Sequence, residues 1–152
     1  MTKRLLGTVA LLAIGAVFVL SSCGGGGSNR LTKEELATKM NTLCTAFNKQ
    51  VDAVGTPKTV AEAVASYSKL VPVYEKVVAD MAKLKAPADE EATLKQAVSL
   101  GKEQSGRVTA LLGALKKSDV ATYTKLSKES NANDKKSDVL FKKLDATACV
   151  NK

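Results

Sequence analysis

The chain contains no histidine and no tryptophan. Without histidine there is no Ser-His-Asp or Cys-His relay, no ordinary zinc site and no proximal-histidine haem ligation, so a large class of hydrolases and metalloenzymes falls away. Aromatics are scarce at 4% of residues, and beyond residue 22 only Phe47, Phe141, Tyr67, Tyr74 and Tyr123 remain. That is too few for the stacking platforms on which sugars are usually read. No run alternates β-branched with polar residues, which argues against strands. Two Ser-x-x-Lys matches, Ser66 with Lys69 and Ser99 with Lys102, lack the companion motifs of serine–lysine enzymes and are expected by chance in a chain this rich in both residues. No cofactor, no metal site and no catalytic set is expected.

One long apolar run is present, from Leu5 to Leu20 behind Lys3 and Arg4, a signal-peptide layout. Sixteen helical residues rise about 24 Å, short of the roughly 30 Å hydrocarbon core. The run ends in Leu20-Ser21-Ser22-Cys23, which resembles the bacterial lipobox. The expected organisation is a signal peptide over 1–22, a lipid-modified Cys23 opening a Gly/Ser tether over 23–31, and a helical domain over 32–152. Random-coil scaling of that tether places the domain about 15 to 18 Å from the lipid. Cleavage leaves 130 residues, one domain's worth. It removes two of 23 basic side chains and none of the 15 acidic ones, so the remaining net charge is +6. Lysines are interleaved with acids as on solvated faces. The expected location is the extracytoplasmic face of the cell membrane, held by acyl chains on Cys23, where nucleic acid is not an expected partner.

Four helices follow. Thr32 with Glu35 forms a capping box ahead of a stripe at Leu36, Met40, Leu43, Phe47, Val51 and Val54, ended by Gly55. Thr59 with Glu62 opens a second helix that carries Pro72 inside it, where a kink is expected, and Pro87 as its stop. Asp89, Glu90 and Glu91 put negative charge at the start of the third. Ser118 or Asp119 caps the fourth, whose apolar positions include Tyr123, Leu126, Leu140, Phe141 and Leu144. Short connections favour antiparallel neighbours, hence an all-α, up-down four-helix bundle.

With Cys23 taken by lipid, Cys44 and Cys149 remain, and an oxidising compartment favours their pairing. Their heights raise a problem. Cys44 lies about 15 Å below the top of the first helix, and a fourth helix ending near Leu144 would finish nearly 40 Å down, whereas the tail spans only about 15 Å. Longer middle helices, a tail that turns back, a broken fourth helix or no bond at all would each resolve it.

Between Leu126 and Leu140 the fourth helix reads Ser130, Asn133 or Asp134, and Ser137 where apolar residues should face inward, and the third turns small and polar at Gly101, Ser105 and Gly106. Aligned, these stretches would line a polar cavity with Tyr67 or Tyr74 contributing a hydroxyl, a small-ligand site formed by Tyr67, Tyr74, Ser105, Ser130, Asn133 and Asp134. Close helix approach, or a bend in the fourth helix, would explain the same residues.

The lipobox, the glycine-rich tether, Leu31-Thr32-Lys33-Glu34-Glu35-Leu36, Cys44, the Leu84-Lys85-Ala86-Pro87 break and the Ala148-Cys149 ending together resemble a family of small exported helical lipoproteins common in actinobacteria. The resemblance implies the Cys44–Cys149 bond and an uncharacterised function, and it puts Asp145 where such sequences tend to carry the glycine that ends the last helix. The expected activity is non-enzymatic: a binding or interaction module of the envelope whose partner is a protein, an envelope polymer or a small ligand. The alternative is a carrier or sensor using the polar cavity between the third and fourth helices.

Overall fold

A computed structural model describes residues 29–151; the signal peptide, Cys23 and most of the tether expected above lie outside the described residues. Within them are four α-helices, α1 (Lys33–Val54), α2 (Val60–Ala82), α3 (Glu91–Lys116) and α4 (Val120–Lys143), one short 3-10 turn at Thr147–Cys149, and no strand. None of these helices is long and apolar enough to cross a membrane.

Local chemistry sets the boundaries. In α1 the Glu35 N–H donates to Thr32 Oγ1 at 3.2 Å and the Thr32 N–H donates to Glu35 Oε2 at 2.8 Å, so two otherwise orphaned donors are satisfied reciprocally. At the start of α2 the Glu62 N–H donates to Thr59 Oγ1, but the Glu62 carboxylate takes the N–H of Lys58, one residue earlier than a capping box would have it. Pro72 sits inside α2 without interrupting it. The helix does not run on to Pro87: it ends at Ala82, and the N–H groups of Lys83 and Leu84 tighten onto the Asp80 and Met81 carbonyls. The segment behind it is held instead by the residues just ahead of α1, with the Leu31 N–H donating to Lys85 O and Arg30 Nη1 to Ala86 O, both at 2.8 Å. Arg30 also pairs with Glu91, and Lys33 with Asp89 and Glu90. Arg30 and Leu31, the last two residues of the expected tether over 23–31, are thus bound to the segment between α2 and α3 and to the start of α3.

Helices α3 and α4 end alike. Ser118 (φ 55°) and Asp145 (φ 53°) stand in the left-handed region. In each case two bonds return to the preceding turn: Ser118 N–H to Leu115 O and Asp119 N–H to Ala114 O, then Asp145 N–H to Lys142 O and Ala146 N–H to Phe141 O. This is the Schellman pattern that usually selects glycine. Asp119 then caps α4 by accepting from the Thr122 N–H at 3.0 Å.

The start of α1, the end of α2, the start of α3 and the end of α4 share one end of the molecule, and most of the core lies there. Leu36 and Met40, 1% and 0% exposed, pack with Cys44, Met81, Ala86, Leu94, Ala97, Leu144 and Ala146. This corrects the expected height of Cys149. In an alternating array the fourth helix returns to the end where the first begins, so Leu144 lies beside Leu36 and Met40, not nearly 40 Å away. The tail then turns back at Asp145 and runs alongside α1. Cys149 meets Cys44 in a disulfide with Cα atoms 5.0 Å apart, and α4 is unbroken.

Each helix packs on the next in sequence, but α1 and α4 have no Cα atoms within 8 Å of each other. The tail bridges that gap. Asn41 accepts from the Ala148 N–H and donates to Asp145 O, Asn48 donates to Ala148 O, and Asp138 on α4 accepts from both the backbone and the side-chain N–H of Asn151.

Candidate functional site

The polar stretch of α4 faces α3, and its side chains bond to α3 and to one another rather than lining an open space. Gln104, 7% exposed, donates through Nε2 to Ser130 Oγ. Asn133 Nδ2 donates to Leu100 O at 3.0 Å and to Gln104 Oε1 at 3.3 Å, and Ser137 Oγ donates to Asn133 O. Ser130, Asn133 and Ser137 are all buried, so a small hydrogen-bonded network fills the seam, and the expected ligand pocket between α3 and α4 is occupied by these side chains. Ser105 does not join it: it points toward α2, with its hydroxyl 3.4 Å from Glu75 Oε1. At Gly101 α3 lies close against α2. A Cβ there would stand 3.1 Å from Val78 Cγ2, whereas one on Gly106 would meet nothing within 4 Å.

A cleft of about 250 Å³ opens instead where α1 and α4 stand apart, bounded by the tail. From α1 come Phe47, Asn48, Val51 and Asp52; from α2, Tyr74, Val77 and Val78; from α3, Val98 and Gly101. From α4 come Asp134, Ser137 and Phe141, and the disulfide, Val150 and Asn151 form the remaining wall. The stripe of α1 thus changes role along its length. Leu36 and Met40 are core, while Val51, 37% exposed, has no partner on α4 and faces the gap. Phe47 and Tyr74 pack edge to face with ring centroids 5.5 Å apart.

Electrostatics single out two groups. Burial, and secondarily the nearby Asp134 carboxylate, push the Tyr74 phenol up to about 12. Asp134 is itself pushed up, first by burial and then by Asp138, with Arg107 pulling more weakly the other way. Both effects disfavour further negative charge on these groups. Tyr67 lies away from the cleft, its phenol raised to about 12 by burial first and by the neighbouring Tyr123 second.

Of the six side chains expected to form one ligand site, the structure brings Tyr74 and Asp134 to the cleft and Ser130 and Asn133 to the buried network, and places Tyr67 and Ser105 in neither. Gln104, Phe47, Asp52, Phe141 and the tail residues complete the two constellations. The apolar members were visible in the sequence only as core positions, because periodicity marks the inward face of a helix without telling whether a neighbour fills it. No cluster of three or more His, Cys, Asp or Glu side chains able to hold a metal ion occurs among the described residues. Comparison with known proteins finds no matching family model, no matching curated protein and no matching solved structure.

Proposed function

We propose that the chain is an exported lipoprotein whose helical domain is a non-enzymatic binding module, holding a small molecule in the cleft between α1 and α4 at the extracytoplasmic face of the membrane. The cleft carries this reading. It combines apolar walls from all four helices with a few polar groups, the usual composition of a small-molecule site, and it is bounded by a tail covalently fixed in place. The export and anchoring parts rest on the Lys3-Arg4 start, the apolar run and the Leu20–Cys23 motif, together with the resemblance to small exported helical lipoproteins. The docking of Arg30 and Leu31 supports a short lead from Cys23 to the fold. About seven residues of coil would give a mean separation of roughly 13 to 16 Å. Two or three acyl chains would make attachment durable where one would not.

Native mass spectrometry of the protein extracted from its own membranes tests both parts. The expected spectrum shows an N-terminus at Cys23 carrying acyl chains, an intact disulfide and a non-covalent small-molecule adduct that a Phe47→Ala/Tyr74→Ala variant loses. An unacylated chain starting at Met1 overturns the anchor. A lipidated chain with no adduct, recovered instead with a protein partner, overturns the small-molecule reading in favour of an interaction module.

A further inference from the structure

The chemistry of the cleft wall narrows its occupant. Lys and Arg outnumber Asp and Glu by 23 to 15 in this chain, yet the cleft wall contains no Lys or Arg and two carboxylates, Asp52 from α1 and Asp134 from α4. Three of the five aromatic residues beyond residue 22, Phe47, Tyr74 and Phe141, line the same space. Carboxylates with aromatic faces and no opposing cation are the combination that recognises ammonium groups, through charge and through the ring quadrupole. A fatty acid or other anion would meet two like charges and no Lys or Arg. A neutral apolar ligand would leave Asp134 half-buried beside Asp138 with no counter-charge inside the cleft. Arg107 on α3 acts on Asp134 more weakly than Asp138 does, pairs through Nη2 with Glu103 at 3.5 Å and does not line the cleft.

Resting on the binding-module reading above, we propose that the cleft takes a small organic cation, an ammonium group on a compact apolar body, with its charge on Asp134 and its apolar part against Phe47, Tyr74 and Phe141. The volume of about 250 Å³ sits just under the roughly 300–1,000 Å³ of typical ligand pockets, so the apolar body is a single ring or a short branched chain. Burial first, and Asp138 second, hold the Asp134 carboxyl above its ordinary range, and a cation seated against it would offset both effects.

The test uses the mature lipidated chain in nanodiscs of zwitterionic lipid, labelled with 3-fluorotyrosine. Its three tyrosines give three resonances, and Tyr74→Phe identifies the one inside the cleft. Benzyltrimethylammonium, benzyl alcohol and phenylacetate are titrated in turn. The expected result is a saturable shift of the Tyr74 resonance with the ammonium at least tenfold tighter than either analogue. Asp134→Asn should abolish that preference and Asp134→Glu should keep it, with the Tyr67 and Tyr123 resonances unmoved in both variants as a check on folding. Equal binding of all three, tightest binding of phenylacetate, or a preference that survives in Asp134→Asn overturns the cation inference while leaving the cleft as a binding site. No shift of Tyr74 with any of the three overturns the binding-module reading as well.

Discussion

Two glycines of α3 that look equivalent in the sequence sit in different surroundings. Gly101 faces Val78, which is buried and β-branched, and a valine in a helix has essentially one rotamer to occupy. An added methyl at 3.1 Å cannot be accommodated by a swing of that side chain. Gly106 faces open space. Replacing a mid-helix glycine by alanine gains about 0.8 to 1 kcal/mol of helix propensity, so Gly106→Ala should stabilise by close to that amount. Gly101→Ala should lose the gain to the clash and come out neutral to about 1 kcal/mol destabilised. Urea unfolding midpoints of the two variants, corrected by their slopes, should differ by at least about 1 kcal/mol; equal stabilisation would mean that α2 and α3 are not held at the approach described. The same reasoning explains Asp145, where φ of 53° makes a glycine the natural occupant and aspartate a tolerated one.

At the scale of elements, the buried network between α3 and α4 is a point where a local rule is broken and then compensated. A polar group buried without a partner costs about 1 to 3 kcal/mol. Asn133→Ala removes the bonds to Leu100 O and Gln104 Oε1 and strands part of the Gln104 amide, so a loss of about 1 to 3 kcal/mol is expected. Replacing the network together, as Gln104→Met with Ser130→Ala and Asn133→Leu, should recover most of that loss, since no polar group is then left unpaired. Thermal or urea unfolding of the single and triple variants checks it; a triple variant worse than the single one would show that the hydrogen bonds contribute more than the cost of leaving them unmade. These elements also show how far the sequence could be read. Thr32, Thr59 and Asp119 announce their helices because capping is a local hydrogen-bond requirement. The inward polar run at Ser130, Asn133 and Ser137 was legible because it interrupts a periodic stripe. Gln104 was not: a long polar side chain one position from Ser105 reads as solvent-facing, and only the facing serine and asparagine make its burial sustainable. The return of α4 to the start of α1 follows from alternation along the chain, and reversing its direction made the disulfide look out of reach.

At the scale of the molecule, stability and the cleft depend on the same tail. The Cys44–Cys149 bond spans a sequence separation of 105, a loop whose closure is worth up to about 4 to 5 kcal/mol in the chain-entropy model. It also holds Val150 and Asn151 at the cleft wall. Reduction, or Cys44→Ser with Cys149→Ser, should lower unfolding stability by about 2 to 5 kcal/mol, measured by urea titration with and without reductant. An unchanged midpoint would mean that the network of Asn41, Asn48 and Asp138 suffices to hold the tail. The bond has a topological consequence too. It closes residues 44–149 into a covalent ring that contains all of α2, α3 and α4. A protease that nicks the α1–α2 turn, or the turn between α3 and α4, therefore severs the backbone without releasing any piece of the domain. If Cys23 is the lipid anchor proposed above, only a cut between it and Cys44 sheds the domain from the membrane, and much of that interval is protected within the first half of α1.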